Sequence, residues 1–509
     1  MTRRWTRRAL VVGALLLAMP APHVSAACKS TCTEELRACG RACASSHGRE
    51  RRQCRQRCGD QSTCTAPGVR ARTFVWGENV CEETPDGAVT LSQKLVARHG
   101  NCDPVTLLAL PPVGPIAGDP IGVCAIYGRF RAGAGATVAG LIQRITALPD
   151  GVGVLFEVTN DYAALPPLIP ALALLSPEPP IAEGIYFVRT NGTGLRWLSP
   201  PMGSPIIVIG GLGFQQIDNL FLGVSPSGRL LAVTGMGPGP DGEPAQQVFL
   251  VTIATGERTQ ITHLPATEEG INGLLFADER TIFFYDNSKS EFFSVGTDGG
   301  DPVPPPSLVA LRGARVVPRF AIASDGATFV GLPLDRTPNQ TYPAGNGSGP
   351  VEVFRLEGSR LLQLTNFGYQ NTLQIEPARD GTQFASSADP LGENPDGVCQ
   401  LFSIDSLAGH LRQLTRFPYD GRPHNGCIQS DGGSCTINGD VWDPRTGMVG
   451  VISSCDALGR NPDGEQFFTM RPDGSRIRQI TSFRGVEKFP DGSIRVELGG
   501  PYGYSAPLF

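Results

Sequence analysis

The chain has 509 residues, 40% of them hydrophobic and 18% charged, with a formal net charge of −5. So mild a balance argues against nucleic acid as the main partner. Its 63 Gly and 44 Pro suit many short strands joined by tight turns.

Residues 1–26 read as an export signal. Arg3, Arg4, Arg7 and Arg8 form a basic start, 9–19 is an apolar core too short to span a bilayer, and Val24-Ser25-Ala26 supplies small residues for cleavage. Thr6-Arg7-Arg8 also fits a twin-arginine signal. A lipid anchor at Cys28 is the weaker alternative, because Ser25 stands where a lipobox usually has Leu. The expected location is therefore periplasmic or extracellular, and no later run approaches a membrane span.

Fourteen cysteines follow the signal, an even count that in an exported chain implies disulfides. Residues 27–64 form a cysteine-rich head. Cys28, Cys32, Cys39 and Cys43 fall on one helical stripe at about 100° per residue, and Cys54 and Cys58 repeat the spacing on a second short helix. The pattern resembles twin-CxxxC helical hairpins. That resemblance implies a disulfide-stapled α-hairpin, most simply with Cys39 joined to Cys58 and Cys43 to Cys54. Its arginines make it basic, a solvated face or a means of docking to an anionic envelope surface. Residues 65–139 read as a Cys/Pro/Gly-rich irregular β region.

From residue 140 a two-hairpin unit recurs. Its first turn falls at Asp150-Gly151, Ser227-Gly228, Asp325-Gly326, Asp380-Gly381, Thr446-Gly447 and Asp491-Gly492. Gly accepts the positive φ such a turn needs. The second hairpin often closes on Gln260-Ile261-Thr262, Gln363-Leu364-Thr365, Gln413-Leu414-Thr415 or Gln479-Ile480-Thr481. Two hairpins make four strands, one propeller blade. The six units are 140–200, 206–265, 268–306, 313–367, 368–417 and 418–483, the third ending in the proline run 302–306. The tail has only a first hairpin, so it should complete a blade begun near the N-terminus. The fold class is thus all-β: a propeller over 140–509 of six four-stranded blades, or seven if residues 69–135 contribute one, preceded by the α-hairpin.

The units resemble TolB-like, WD40-like (PD40) propeller repeats. The resemblance rests on Val224-Ser225-Pro226-Ser227-Gly228-Arg229, Arg471-Pro472-Asp473-Gly474 and the Gln-Leu-Thr endings. It implies capture of a protein or peptide at the channel mouth, a binding or scaffolding role. A propeller carbohydrate lyase or hydrolase is the second expectation, which would require His263, His410 and His424 to cluster with carboxylates. A calcium-stiffened surface protein is the third. No cofactor is required, but two similar loops carry oxygen-rich residues that suit Ca²⁺: Asp389, Asn394 and Asp396, then Asp456, Asn461 and Asp463. Turn chemistry explains the same residues without a metal. Cys427 with Cys435, and Cys399 with Cys455, are the disulfide candidates of the repeats. No nucleophile elbow, Walker loop or His-Glu-x-x-His motif occurs, and no residue is assigned to catalysis.

Overall fold

The computed structural model describes the chain from residue 73 to residue 500 apart from connecting segments, the longest being 159–180, 334–350 and 418–436. The segments expected to be an export signal and a cysteine-rich head, with Cys39, Cys43, Cys54 and Cys58, lie outside the described residues. What is described is nearly all β, built as antiparallel meanders.

Two small hairpins, Phe130–Ala132 with Ala136–Val138 and Val208–Gly210 with Gly213–Gln215, stand apart from the larger sheets. Each of the six sequence units houses one three- or four-stranded sheet. The first is ordered Ile142–Ala147, Gly153–Val158, Gly184–Arg189 and Arg196–Ser199. The second runs Gly223–Val224, Leu230–Pro238, Pro244–Thr252 and Arg258–Gln260. The third has three strands, Ile271–Phe276, Thr281–Asp286 and Glu291–Gly296. The fourth is Arg319–Ile322, Thr328–Pro333, Val351–Glu357 and Arg360–Gln363. The fifth is Ile375–Pro377, Gln383–Ser387, Gln400–Ile404 and Leu411–Gln413. The sixth is Ile437–Asp443, Met448–Ser453, Gln466–Met470 and Arg478–Gln479. Strands one to four of a unit are neighbours in the order they are made, so each sheet folds from local contacts alone.

A further sheet joins the two ends of the chain. Gly485–Lys488 pairs with Ile494–Gly500, which pairs with Thr73–Glu83, which pairs with Val89–His99. The seam between the termini runs in register from Gly77 opposite Gly500 to Glu82 opposite Arg495. The C-terminal hairpin thus finds its missing strands near the N-terminus, as its solitary turn in the sequence requires. Residues 73–116 supply these strands, since Val105–Ala109 and Val113–Ile116 also pair with Val89–His99.

Apolar faces bury the sheets against one another in a circle. Leu95 and Ala97 of the closing sheet pack with Ile145 and Phe156 of the first. One cluster then links Leu155, Val251 and Phe284 of the first three sheets. Phe292 meets Phe354 between the third and fourth, and Val353 meets Ile404 between the fourth and fifth. Leu401 meets Val449 between the fifth and sixth, and Phe467 of the sixth packs on Trp76 of the closing sheet. Each of these seven sheets is therefore packed against a neighbour on both faces, which is why their strands carry long apolar runs rather than strict alternation. Inner strands of neighbouring sheets touch, as Ile375–Pro377 does with Arg319–Ile322 and with Ile437–Asp443.

The third sheet differs because the chain turns to proline where an outer strand belongs. Ser294 exchanges backbone hydrogen bonds of 2.8 and 3.0 Å with Val303, and Pro306–Leu311 then forms a 3₁₀ turn. Proline has no N–H for a ladder, so the pairing stops after that one bridge.

The glycine turns do more than reverse the chain. Gly256 of the second sheet lies against Leu198 of the first, Gly299 of the third against Ile261 of the second, and Gly474 of the sixth against Leu414 of the fifth. Each turn therefore sits on the outer-strand end of the sheet before it. Gly474 has φ 76°, and a Cβ there would stand 2.2 Å from the Leu414 carbonyl oxygen. Gly242 has a similar φ of 83° but open space around it. Replacing Gly242 with Ala should cost about 1 kcal/mol from backbone conformation alone. Gly474→Ala should cost about 1–2 kcal/mol more, because it also pushes two sheets apart. Urea unfolding of the two variants beside the parent measures the difference.

Candidate functional site

The repeated Gln-Leu/Ile-Thr ending is one half of a buried amide clamp. In the second sheet Thr262 donates its hydroxyl proton to Gln247 Oε1 at 2.9 Å and accepts from the Val248 N–H at 2.8 Å. Gln247 also accepts from the Leu264 N–H at 2.7 Å and donates to the Leu264 carbonyl at 2.8 Å. Gln260 donates to the Thr262 carbonyl at 2.7 Å, holding the last strand's exit. Gln247 and Thr262 are fully buried.

The same contacts recur around Gln400, Thr415 and Phe417 in the fifth sheet, and around Gln466, Thr481 and Phe483 in the sixth. In the fourth sheet Glu352 replaces the amide and accepts the Thr365 hydroxyl at 2.5 Å. The partner of the threonine was missed in the sequence. The signal that finds it is a glutamine 15 residues before the threonine in three sheets.

The first sheet lacks the clamp, and its buried Ser199 hydroxyl has no hydrogen-bond partner among the described residues. Gly184 occupies the glutamine position, and the Trp197 indole folds over it, donating to the Glu183 carbonyl at 3.2 Å. Between sheets, outer-strand arginines cap the next turn. Arg196 lies 4.7 Å from the Phe187 ring centre and donates to the carbonyls of Ile253 and Ala254. Arg412 donates to the Asp473 carbonyl at 3.1 Å. These contacts stiffen the frame that carries any site.

The connections are strongly asymmetric. Those joining strands one to two and three to four are all short, with 471–477 the longest. Those joining strands two to three, or one sheet to the next, include 159–183, 200–222, 334–350, 388–399, 414–436 and 454–465. The long segments therefore all attach at one end of the sheets, although the short connections 239–243 and 287–290 belong to that end too. Asp473 and Asp491 mark the tight-turn class. Hydrogen bonds from the Ser475 and Ser493 side chains, then from their backbone N–H groups, hold these carboxyls below the ordinary aspartate value.

Asp389, Asn394, Asp396, Asp456, Asn461 and Asp463 lie in two of the long connections and outside the described residues; Cys427, Cys435 and His424 lie in a third, 414–436, and are likewise outside them. Between them stand Leu391 and Leu458, both exposed. Cys399 and Cys455 are buried in one core cluster shared by the fifth and sixth sheets, and no described cysteine is free. His263 follows the outer strand of the second sheet, where its Nδ1 lies 3.2 Å from Gln260 Nε2. His410 precedes the outer strand of the fifth, two non-adjacent sheets, so the fold does not bring these histidines together. Among the described residues no group of three or more His, Cys, Asp or Glu is placed to hold a metal.

A circle of radial antiparallel sheets, closed by strands from both ends of the chain, defines the β-propeller class. No family model matches the sequence, and no curated protein matches it. Among solved structures the chain is similar to TolB from Acinetobacter baumannii, at 12% identity and TM-score 0.34 over 89% of this chain and 73% of that one. It is also similar to the β-propeller domain of the Trilobed protease from Pyrococcus furiosus, at 9% identity and TM-score 0.44 over 81% and 97% of the two chains. An oligogalacturonate lyase from Vibrio parahaemolyticus matches at 10% identity and TM-score 0.38 over 74% and 87%.

The clamp makes a clear energetic prediction. Gln400→Ala and Thr415→Val should each lower stability by about 1–3 kcal/mol, because each leaves buried groups unpaired. The double variant should lose less than the sum, since both break one network. A double-mutant cycle by denaturant unfolding reads the coupling.

Proposed function

We propose that this chain is an exported propeller of seven blades that binds a protein or peptide, serving as a binding or scaffolding module in the bacterial envelope or outside it. The seventh blade in this reading is the closing sheet, with its outer strands supplied by residues 73–99. The observation that carries the binding role is that the long connections all attach at one end of the sheets. Loops on a rigid scaffold are where recognition residues are placed, while stability resides in the sheets beneath.

The signal and the cysteine-rich head support export, and an oxidising compartment would keep the cysteines bridged. The basic head offers a second attachment, to an anionic envelope surface.

The test separates the two ends of the ring. Replacing 334–350 by a turn as short as 239–243 should leave the melting temperature within a few degrees. It should also reduce capture of a crosslinked envelope polypeptide about tenfold or more. Resequencing the short turn 444–447 should leave capture unchanged. Equal capture by both variants would contradict the assignment of the binding end.

A further inference from the structure

The seam that closes the ring carries a charge ladder whose balance changes with pH. Thr73–Glu83 is the only strand that ties the N-terminal part of the chain to Ile494–Gly500 among the described residues. Its face toward the sixth sheet presents Trp76, Glu78, Val80 and Glu82 in alternation. Trp76 is buried against Phe467, Ile480 and Phe483, and its indole N–H donates to Glu78 Oε1 at 3.0 Å.

Glu78 stands directly opposite Lys94 on Val89–His99. On the other side its register partner is Gly499, with Glu497 two residues along on the same face. Farther down, Arg495 reaches Glu82 across the seam at 3.5 Å, and Glu487 lies opposite Arg495 on the next strand. Arg484 pairs with Glu487 at 3.3 Å, and Arg98 donates to the Ile480 carbonyl. The sixth-sheet groups packed on this end of the face are otherwise apolar: Phe467, Ile480 and Phe483.

Glu78 thus sits half-buried, between one lysine and a second glutamate, with a single hydrogen-bond donor. Burial is the largest influence on its carboxyl and raises its pKa above the ordinary value; the Trp76 hydrogen bond and Lys94 oppose that, and Glu497 adds to it. We propose that Glu78 makes the closure seam an acid-tightened joint: taking up a proton at Glu78 strengthens the pairing of Thr73–Glu83 with Ile494–Gly500, and losing it loosens that pairing.

The sign follows from linkage. A glutamate that holds its proton more tightly folded than unfolded contributes stability that is fully present below its ordinary pKa. That contribution is lost as pH rises through the raised one. The strand that responds is also the one to which the cysteine-rich head is joined, so a pull on the head acts on the same joint. This inference is independent of the binding role, since it concerns how firmly the ring closes.

Hydrogen exchange of the full chain, corrected for intrinsic rates and followed by mass spectrometry, tests it. Protection of residues 77–82 should be about three- to tenfold higher near about pH 5 than near about pH 8, while clamp strands such as 400–404 stay level. Glu78→Gln should abolish that dependence. Glu497→Gln, which removes only the like charge, should raise protection near about pH 8 toward the acid value. The proposal is overturned if Glu78→Gln keeps the parent's pH dependence. Should Glu78→Gln not fold, an unaltered pH profile in Glu497→Gln overturns it instead.

Discussion

Closure is the constraint on which this structure depends. A row of radial sheets has two ends, each exposing an apolar face and a strand edge, and both liabilities disappear only if the last sheet meets the first. Here that meeting is made by pairing Thr73–Glu83 with Ile494–Gly500, while Trp76 packs on Phe467 and Phe483. The two ends of the chain are thereby fixed in one sheet. The other sheets fold from near neighbours in sequence, whereas this one waits for contacts some 400 residues apart, the most demanding loop to close.

Within the sheets, order is set by a polar device in an apolar setting. A buried amide that satisfies a hydroxyl, an N–H and a carbonyl at once allows only one register between third and outer strands. Apolar burial gives each sheet its energy without choosing that register. The clamps choose it, and the glycine turns and arginine caps repeat the choice between sheets. The first sheet lacks the clamp: the exposed Trp197 indole lies over Gly184, and the buried Ser199 hydroxyl has no partner among the described residues.

Much of this was legible in the sequence because turns write themselves in glycine. Gly228, Gly256, Gly474 and Gly492 all have positive φ, and each of the six units read from such turns holds one sheet of three or four strands. The solitary Asp491-Gly492 hairpin required strands from elsewhere, and the proline run 302–306 marked the sheet that lacks an outer strand. Gln247, Gln400 and Gln466 were not legible. A polar residue inside a buried strand reads as a break in the apolar pattern until its partner is known. The strands within 73–116 were legible only as an irregular β region able to contribute a blade, since the pairing of Thr73–Glu83 is completed at the far end of the chain. The candidate cation residues belong to connections, where turn chemistry and ligand chemistry use the same Asp and Asn. Of the histidines singled out, His263 and His410 are set in separate sheets.

A ring braced in this way leaves room for its long connections to vary without unfolding the frame. The measurement that tests this account most directly is a crosslink at the seam. Val80 and Glu497 are register partners, so cysteines placed at both should form a disulfide on mild oxidation of the folded chain, joining the two peptides in a mass-spectrometric digest. A bond at this pair, with none when the second cysteine is moved to Ile494, is the result predicted. Absence of the 80–497 bond in a folded protein would mean that the ring is not closed by these strands.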